Sequence, residues 1–85
     1  MSLEPYSAHI NELRELGKNW DSYGADAPND ISTQNAQGVI DILRHTGTTT
    51  LRVAPIAEGG IIIWLDLKTG IECLNSGQVS LETIP

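Results

Sequence analysis

Five consecutive apolar residues, Ile61-Ile62-Ile63-Trp64-Leu65, stand between a Gly59-Gly60 pair and the turn residues Lys68-Thr69-Gly70. Three β-branched side chains followed by Trp and Leu suit a pleated, buried surface. A run this short, bounded by turn signals, reads as a strand rather than a helix. A strand of this kind needs a neighbour on each side and a second layer to cover it. That requirement shapes the reading of the whole chain.

The neighbours are present in the sequence. Residues 51–57 form a β-rich run in which Pro55 marks an edge strand or a strand end. Glu58-Gly59-Gly60 separates it from the central run, which is a hairpin signal. The spacing predicts strands over 51–57, 61–67, 71–74 and 79–84, with turns at 68–70 and 75–78.

The covering layer comes first along the chain. Tyr6, Ile10, Leu13, Leu16 and Trp20 fall at steps of four, three, three and four, one face of a helix over about 5–17. Ser2 or Ser7 is the expected cap, and Gly17 the expected stop. A second helix is predicted over 30–45. Asn29 or Asp30 caps it, Gly47 ends it, and Ala36, Val39, Ile40 and Leu43 form its core stripe. Gly38 is a cost of about 1 kcal/mol relative to Ala inside that helix, unless a bulky neighbour needs the space. The chain is thus a single α+β domain. Its two N-terminal helices pack on one face of a C-terminal antiparallel sheet of three to four strands.

Period-2 alternation assigns the faces. Ile61, Ile63, Leu65, Leu67, Ile71, Cys73, Val79 and Leu81 point to the helices. Asp66, Glu72, Ser80 and Glu82 point away. Ile62, Trp64 and Leu74 fall on that same outer face, where water is expected. Trp on an open sheet face is an interface signal. A domain of 85 residues also gains buried area by associating. A homodimer joined through Ile62, Trp64 and Leu74 is therefore the expectation.

Charge limits the partners. Eleven acids against five bases give a net charge of −6, and both signs are scattered along the chain. Nucleic-acid binding needs clustered Lys and Arg to neutralise phosphates, so direct contact with nucleic acid is not expected. A basic protein is the partner that an acidic surface suits. The longest apolar run is too short to span a bilayer. The first residues lack a basic start followed by an apolar run. A cytoplasmic protein is the expectation.

Catalytic patterns are weak. A nucleophile needs a base in reach and a group that orients the base. His9 lies on the polar side of the first helix. His45 lies in the last turn of the second, where the helix dipole favours a cation. Cys73, the single cysteine, falls on the core face with no predicted basic neighbour, as a small buried hydrophobe does. No Cys/His spacing fits a metal ion. The alternating positions after Asp21 are Tyr23 and Ala25, which a calcium loop could not use. Neither a catalytic residue nor a cofactor is expected.

The stretch Asn19–Pro28, "NWDSYGADAP", is the one loop that looks like a site. Trp20 and Tyr23 are its candidate ligand-binding residues. A structural role for each position is also available. Trp20 extends the first helix stripe and closes the end of the core. Asp21 accepts backbone N–H groups, Gly24 takes a positive φ, and Pro28 starts the second helix. On this reading the loop is a clasp between the helices.

Together, the loop and "RVAPIAEGGIIIWL" resemble a group of small prokaryotic proteins. These share a W-D-x-Y-G-A-x-x-P loop and a V-x-P-x-x-x-G-G turn leading into an apolar strand. The matching positions are Trp20, Asp21, Tyr23, Gly24, Ala25 and Pro28, then Val53, Pro55, Gly59 and Gly60. The resemblance implies an accessory role in a mobile genetic background, with no particular reaction. Members of that group carry polar residues on alternate positions of the strand, where this chain has Ile62 and Trp64. The function expected is a non-enzymatic, self-associating interaction module, in its sharper form an anti-defence or antitoxin-like inhibitor. The other reading is a small-molecule binding module, with Trp20, Tyr23 and Trp64 as recognition groups.

Overall fold

The computed structural model describes residues 3–17, 20, 22, 24–48, 50 and 52–84. Helix α1 spans Glu4–Leu13 and α2 spans Asp30–Thr46. Strands β1 (Arg52–Ile56), β2 (Gly60–Trp64), β3 (Thr69–Leu74) and β4 (Val79–Thr83) follow. They form one antiparallel meander in the order β1-β2-β3-β4. Two helices ahead of a four-stranded antiparallel sheet make this an α+β fold.

The second helix begins where its sequence says it should. Asn29 accepts from the Ser32 N–H at 2.9 Å, while the Asn29 N–H donates to Ser32 Oγ at 3.1 Å. This reciprocal capping box satisfies first-turn donors that the helix itself cannot. Gly47 ends the helix in the left-handed region, at φ 75°. Arg44 and His45 fall in the last turn, the favourable end of the dipole for a cation.

Helix α1 is shorter than its periodicity predicts. It stops at Leu13, then makes one tight turn in which Glu15 and Leu16 N–H donate to Glu12 and Leu13 O. Gly17, at φ 79°, turns the chain away. Leu16 is exposed as a result, and Trp20 is not on the helix at all. Its N-cap is Leu3, with no side-chain cap, so Ser7 does not fill that role; Ser2 lies outside the described residues. Ser7 instead joins the helices. Its hydroxyl donates to Gln37 Oε1 at 2.7 Å, and Gln37 Nε2 returns to Ser7 O at 2.8 Å.

The helices pack on β1, β2 and β3 from one side. Ile10, Leu13, Ala36, Ile40, Leu43, Val53, Ile61, Ile63 and Cys73 fill the core. The predicted helix stripe and the inner-face alternation are both present there. Three inner-face positions depart from the expectation. Leu67 leaves the strand for the β2–β3 turn and is 83% exposed, while Val79 and Leu81 lie on the inner face but stay exposed at its β4 edge.

Candidate interaction surface

Cross-strand pairing fixes which side chains share the outer face. One row reads Ala54, Ile62, Glu72, Ser80, and the next reads Arg52, Trp64, Gly70, Glu82. Leu74, opposite Gly60, lies one row further on the same face. The structure brings Ile62, Trp64 and Leu74 to one side of the sheet, each half-buried. Both helices are on the other side.

Gly70 is what lets Ile62 and Trp64 lie flat. A Cβ at that position would sit 3.0 Å from Trp64 Cε3 and 3.0 Å from Ile62 Cδ1. The missing side chain leaves a notch opposite Trp64, and the two apolar groups fill it. The Arg52 guanidinium carbon lies 5.9 Å from the Trp64 ring centre, at the outer limit of a cation–π contact. An open groove of about 370 Å³ continues from Trp64, bounded by Arg52, Asp66, Leu67 and Ile84.

The apolar strip has an acidic border. Glu72 and Glu82 occupy neighbouring positions of adjacent strands. Burial first, and then the charges of Glu82 and Glu58, push the Glu72 carboxyl above its ordinary value. Asp66 has a local task instead. Its Oδ1 accepts the N–H groups of Lys68 at 2.8 Å and Thr69 at 2.7 Å, which holds its carboxyl below the usual range. It ties the β2–β3 turn, an Asx-type arrangement.

The loop motif has a different place from the one its sequence suggests. Tyr23 and Asp21 lie outside the described residues. Trp20 is half-buried, does not join the core, and donates from Nε1 to Asp26 O at 3.0 Å. Gly24 has the positive φ expected of it, and Ala25 and Pro28 are buried. The end of the loop is held chiefly by the sheet. Asn75, in the β3–β4 turn, donates from Nδ2 to Ala27 O at 3.0 Å and accepts at Oδ1 from the Asn29 N–H at 2.9 Å. Where a clasp between helices is expected, these bonds tie the loop to the β3–β4 turn.

Asn75 also explains the first glycine of the Gly59-Gly60 pair. Its N–H donates to Gly59 O at 2.9 Å, and a Cβ on Gly59 would come 2.7 Å from its Nδ2. Gly60 has φ 150°, and a Cβ there would run into the Cys73 carbonyl. The loop before α2 and the Gly59-Gly60 turn thus meet in space at one asparagine. By sequence Asn75 reads only as a turn residue, because nothing local marks a contact 43 to 48 residues away.

The remaining polar candidates are apart. His9 lies 3.6 Å from Glu12 on α1, and His45 Nδ1 is 2.8 Å from Asp41 O at the end of α2. Cys73 is fully buried, and that burial pushes its thiol up to about 11, away from a reactive thiolate. Among the described residues, no three His, Cys, Asp or Glu side chains gather where they could hold a metal ion. No described helix is long and apolar enough to cross a membrane. Comparison with protein-family models, curated proteins and solved structures gives no match for this chain.

Proposed function

We propose that this chain is a non-enzymatic protein-interaction module whose recognition surface is the outer face of its sheet. The observation that supports it is the apolar strip of Ile62 and Trp64 laid across Gly70, on the face away from both helices. A half-buried apolar strip centred on a Trp is the kind of surface from which interface hot spots are built. The Glu72–Glu82 border makes a basic segment the better partner, since a Lys or Arg set between the carboxylates would relieve their repulsion. The reading extends to a cytoplasmic accessory protein of a mobile genetic element that occludes a basic surface.

Affinity capture from a host lysate, at low and at high salt, tests this reading. Wild type should hold a partner that salt releases, and Trp64→Glu should lose it while keeping its fold by circular dichroism. A partner retained equally by Trp64→Glu excludes this face.

The groove beside Trp64 supports a second reading, a small-molecule site. Its 370 Å³ is near the lower end for such sites, and the Arg52–Trp64 pair could take a planar anion. A thermal-shift screen separates the two, because a ligand of the folded state alone raises Tm.

A further inference from the structure

We infer that a second copy of this chain docks on the flank formed by β4 and α2, extending the sheet across β4. Four exposed apolar side chains lie on this flank. Val79 is 48% exposed and Leu81 66%; on α2, Ile31 is 49% exposed and Ile42 63%. Val79 and Leu81 point to the helix side of the sheet, yet the helices make their main contacts with the first three strands. Ile31 lies over Gly77 in the β3–β4 turn, and Asn35 reaches Gly77 O at 3.5 Å. The flank is thus a step, with the α2 side above and the bare inner face of β4 below.

The two edges of the sheet are built differently. In β2–β3 the bonded pairs are odd-numbered, as with Leu65 N–H to Thr69 O at 2.8 Å. Even residues of β2 therefore turn to β1, and Pro55 falls at an outward position of that edge. A proline there offers no donor to another strand. β4 reads Val-Ser-Leu-Glu-Thr, with no proline and no lysine. Leu74 N–H donates to Gln78 O at 2.9 Å and Ile84 N–H to Lys68 O at 2.7 Å. Even residues of β4 thus face β3, while Val79, Leu81 and Thr83 turn their N–H and C=O groups outward.

This alternation selects one symmetric register. A two-fold axis through Leu81 sets it opposite Leu81 of the second copy, and Val79 opposite Thr83. These are positions that exchange both main-chain bonds in an antiparallel pair. Glu82 then faces Ser80 of the second copy, so no like charges stand directly opposite. The two α2 helices run antiparallel, and Ile31 and Ile42 lie on either side of the paired Leu81 side chains. The contact is isologous and closes as a dimer.

The area suits a small interface. An α2 of 17 residues is about 25 Å long, and the molecule is 20 Å through its thinnest direction. A flank of that length and depth projects about 500 Å², on the small side of the roughly 800 Å² per partner of a standard interface. This joint is not the one expected from sequence through Ile62, Trp64 and Leu74. It leaves that face open on both copies.

Sedimentation of the whole chain, with hydrogen exchange on the same samples, tests the inference. Wild type should sediment as a dimer, with Val79, Leu81 and Thr83 amides protected in the dimer and fast on dilution. Leu81→Lys should give a folded monomer, Ile42→Glu should weaken the dimer at least tenfold, and Trp64→Glu should stay dimeric. Ile42→Glu, on an exposed helix position, covers the case in which Leu81→Lys fails to fold. A monomeric wild type overturns the inference. So does a dimer that survives Ile42→Glu with unprotected β4 amides, or one dissociated by Trp64→Glu alone. Loss of the Trp64 partner with the dimer intact bears only on the outer-face proposal.

Discussion

The Ser32 hydroxyl at the start of α2 lies 2.8 Å from Asn75 Oδ1 in the β3–β4 turn. The same oxygen accepts the Asn29 N–H, and Asn29 Nδ2 returns to Asn75 O at 3.1 Å. The cap of the longer helix and the last turn of the sheet are therefore one hydrogen-bonded unit. Asn75→Ala removes both side-chain functions at once. At about 0.5–1.5 kcal/mol for each bond lost, the variant should be less stable by about 2–3 kcal/mol in urea unfolding. Asn75→Asp keeps the acceptor but sets a carboxylate against Ala27 O, so it too should destabilise. A loss below about 0.5 kcal/mol for the alanine variant would show that the unit contributes little.

Glycine-to-alanine changes should differ in sign by position. Gly60→Ala puts a methyl into the Cys73 carbonyl at a φ of 150°, and both the clash and the backbone oppose it. It should fail to fold or lose more than about 3 kcal/mol. Gly38 is exposed and has open space around its missing Cβ, so the bulky neighbour that the sequence suggested is not there. Gly38→Ala should stabilise by about 0.5–1 kcal/mol through helix propensity. Thermal melts of the pair check both directions.

Local chemistry made most of the fold legible. The cap Asn29, the stop Gly47, the stripe of α2 and the alternation of β2 each depend on neighbours within a few residues. The departures have two causes, an early local stop and contacts distant along the chain. Leu16 and Trp20 continue a helical period, but the period cannot say that the helix ends at Leu13, before the stop expected at Gly17. Val79 and Leu81 alternate correctly, yet their exposure depends on how many strands two helices can cover. Ile62 and Trp64 were legible as an anomaly on the outer face. That Gly70 gives them their notch was not, because it requires the β2–β3 register.

Trp20 gives a measure of the loop. A ring buried in the core would cost about 3–5 kcal/mol on truncation. Here the ring is half-buried, and its one described hydrogen bond is to Asp26 O. Trp20→Ala should cost about 1–2 kcal/mol, partly from that bond and partly from the area lost. Trp20→Phe should recover most of the packing share. A loss as large as that of a core residue, measured by urea unfolding, would mean that the ring holds more than the loop.

The sheet carries two carboxyls shifted in opposite directions, and their effects on stability separate by pH. The folded state raises Glu72 above its ordinary value of 4.5, through burial and then Glu82. The folded state therefore holds the Glu72 proton more tightly than the unfolded chain does. Its stabilising contribution is present in acid and disappears as pH rises from 4.5 through the raised value. Glu72→Gln should accordingly be more stable than wild type at pH 7, by a few tenths to about 1 kcal/mol as for other like-charge cross-strand neighbours. That advantage should vanish below pH 4.5. Asp66 is lowered from 3.8 by the N–H groups of Lys68 and Thr69. Its contribution is present above 3.8 and is lost as pH falls through the lowered value. Asp66→Asn should lower Tm at pH 7 and converge with wild type in strong acid. Melting curves of the three proteins from pH 2 to 8 check both signs. Parallel curves for Glu72→Gln and wild type would show that the outer face carries no carboxyl repulsion for a basic partner to relieve.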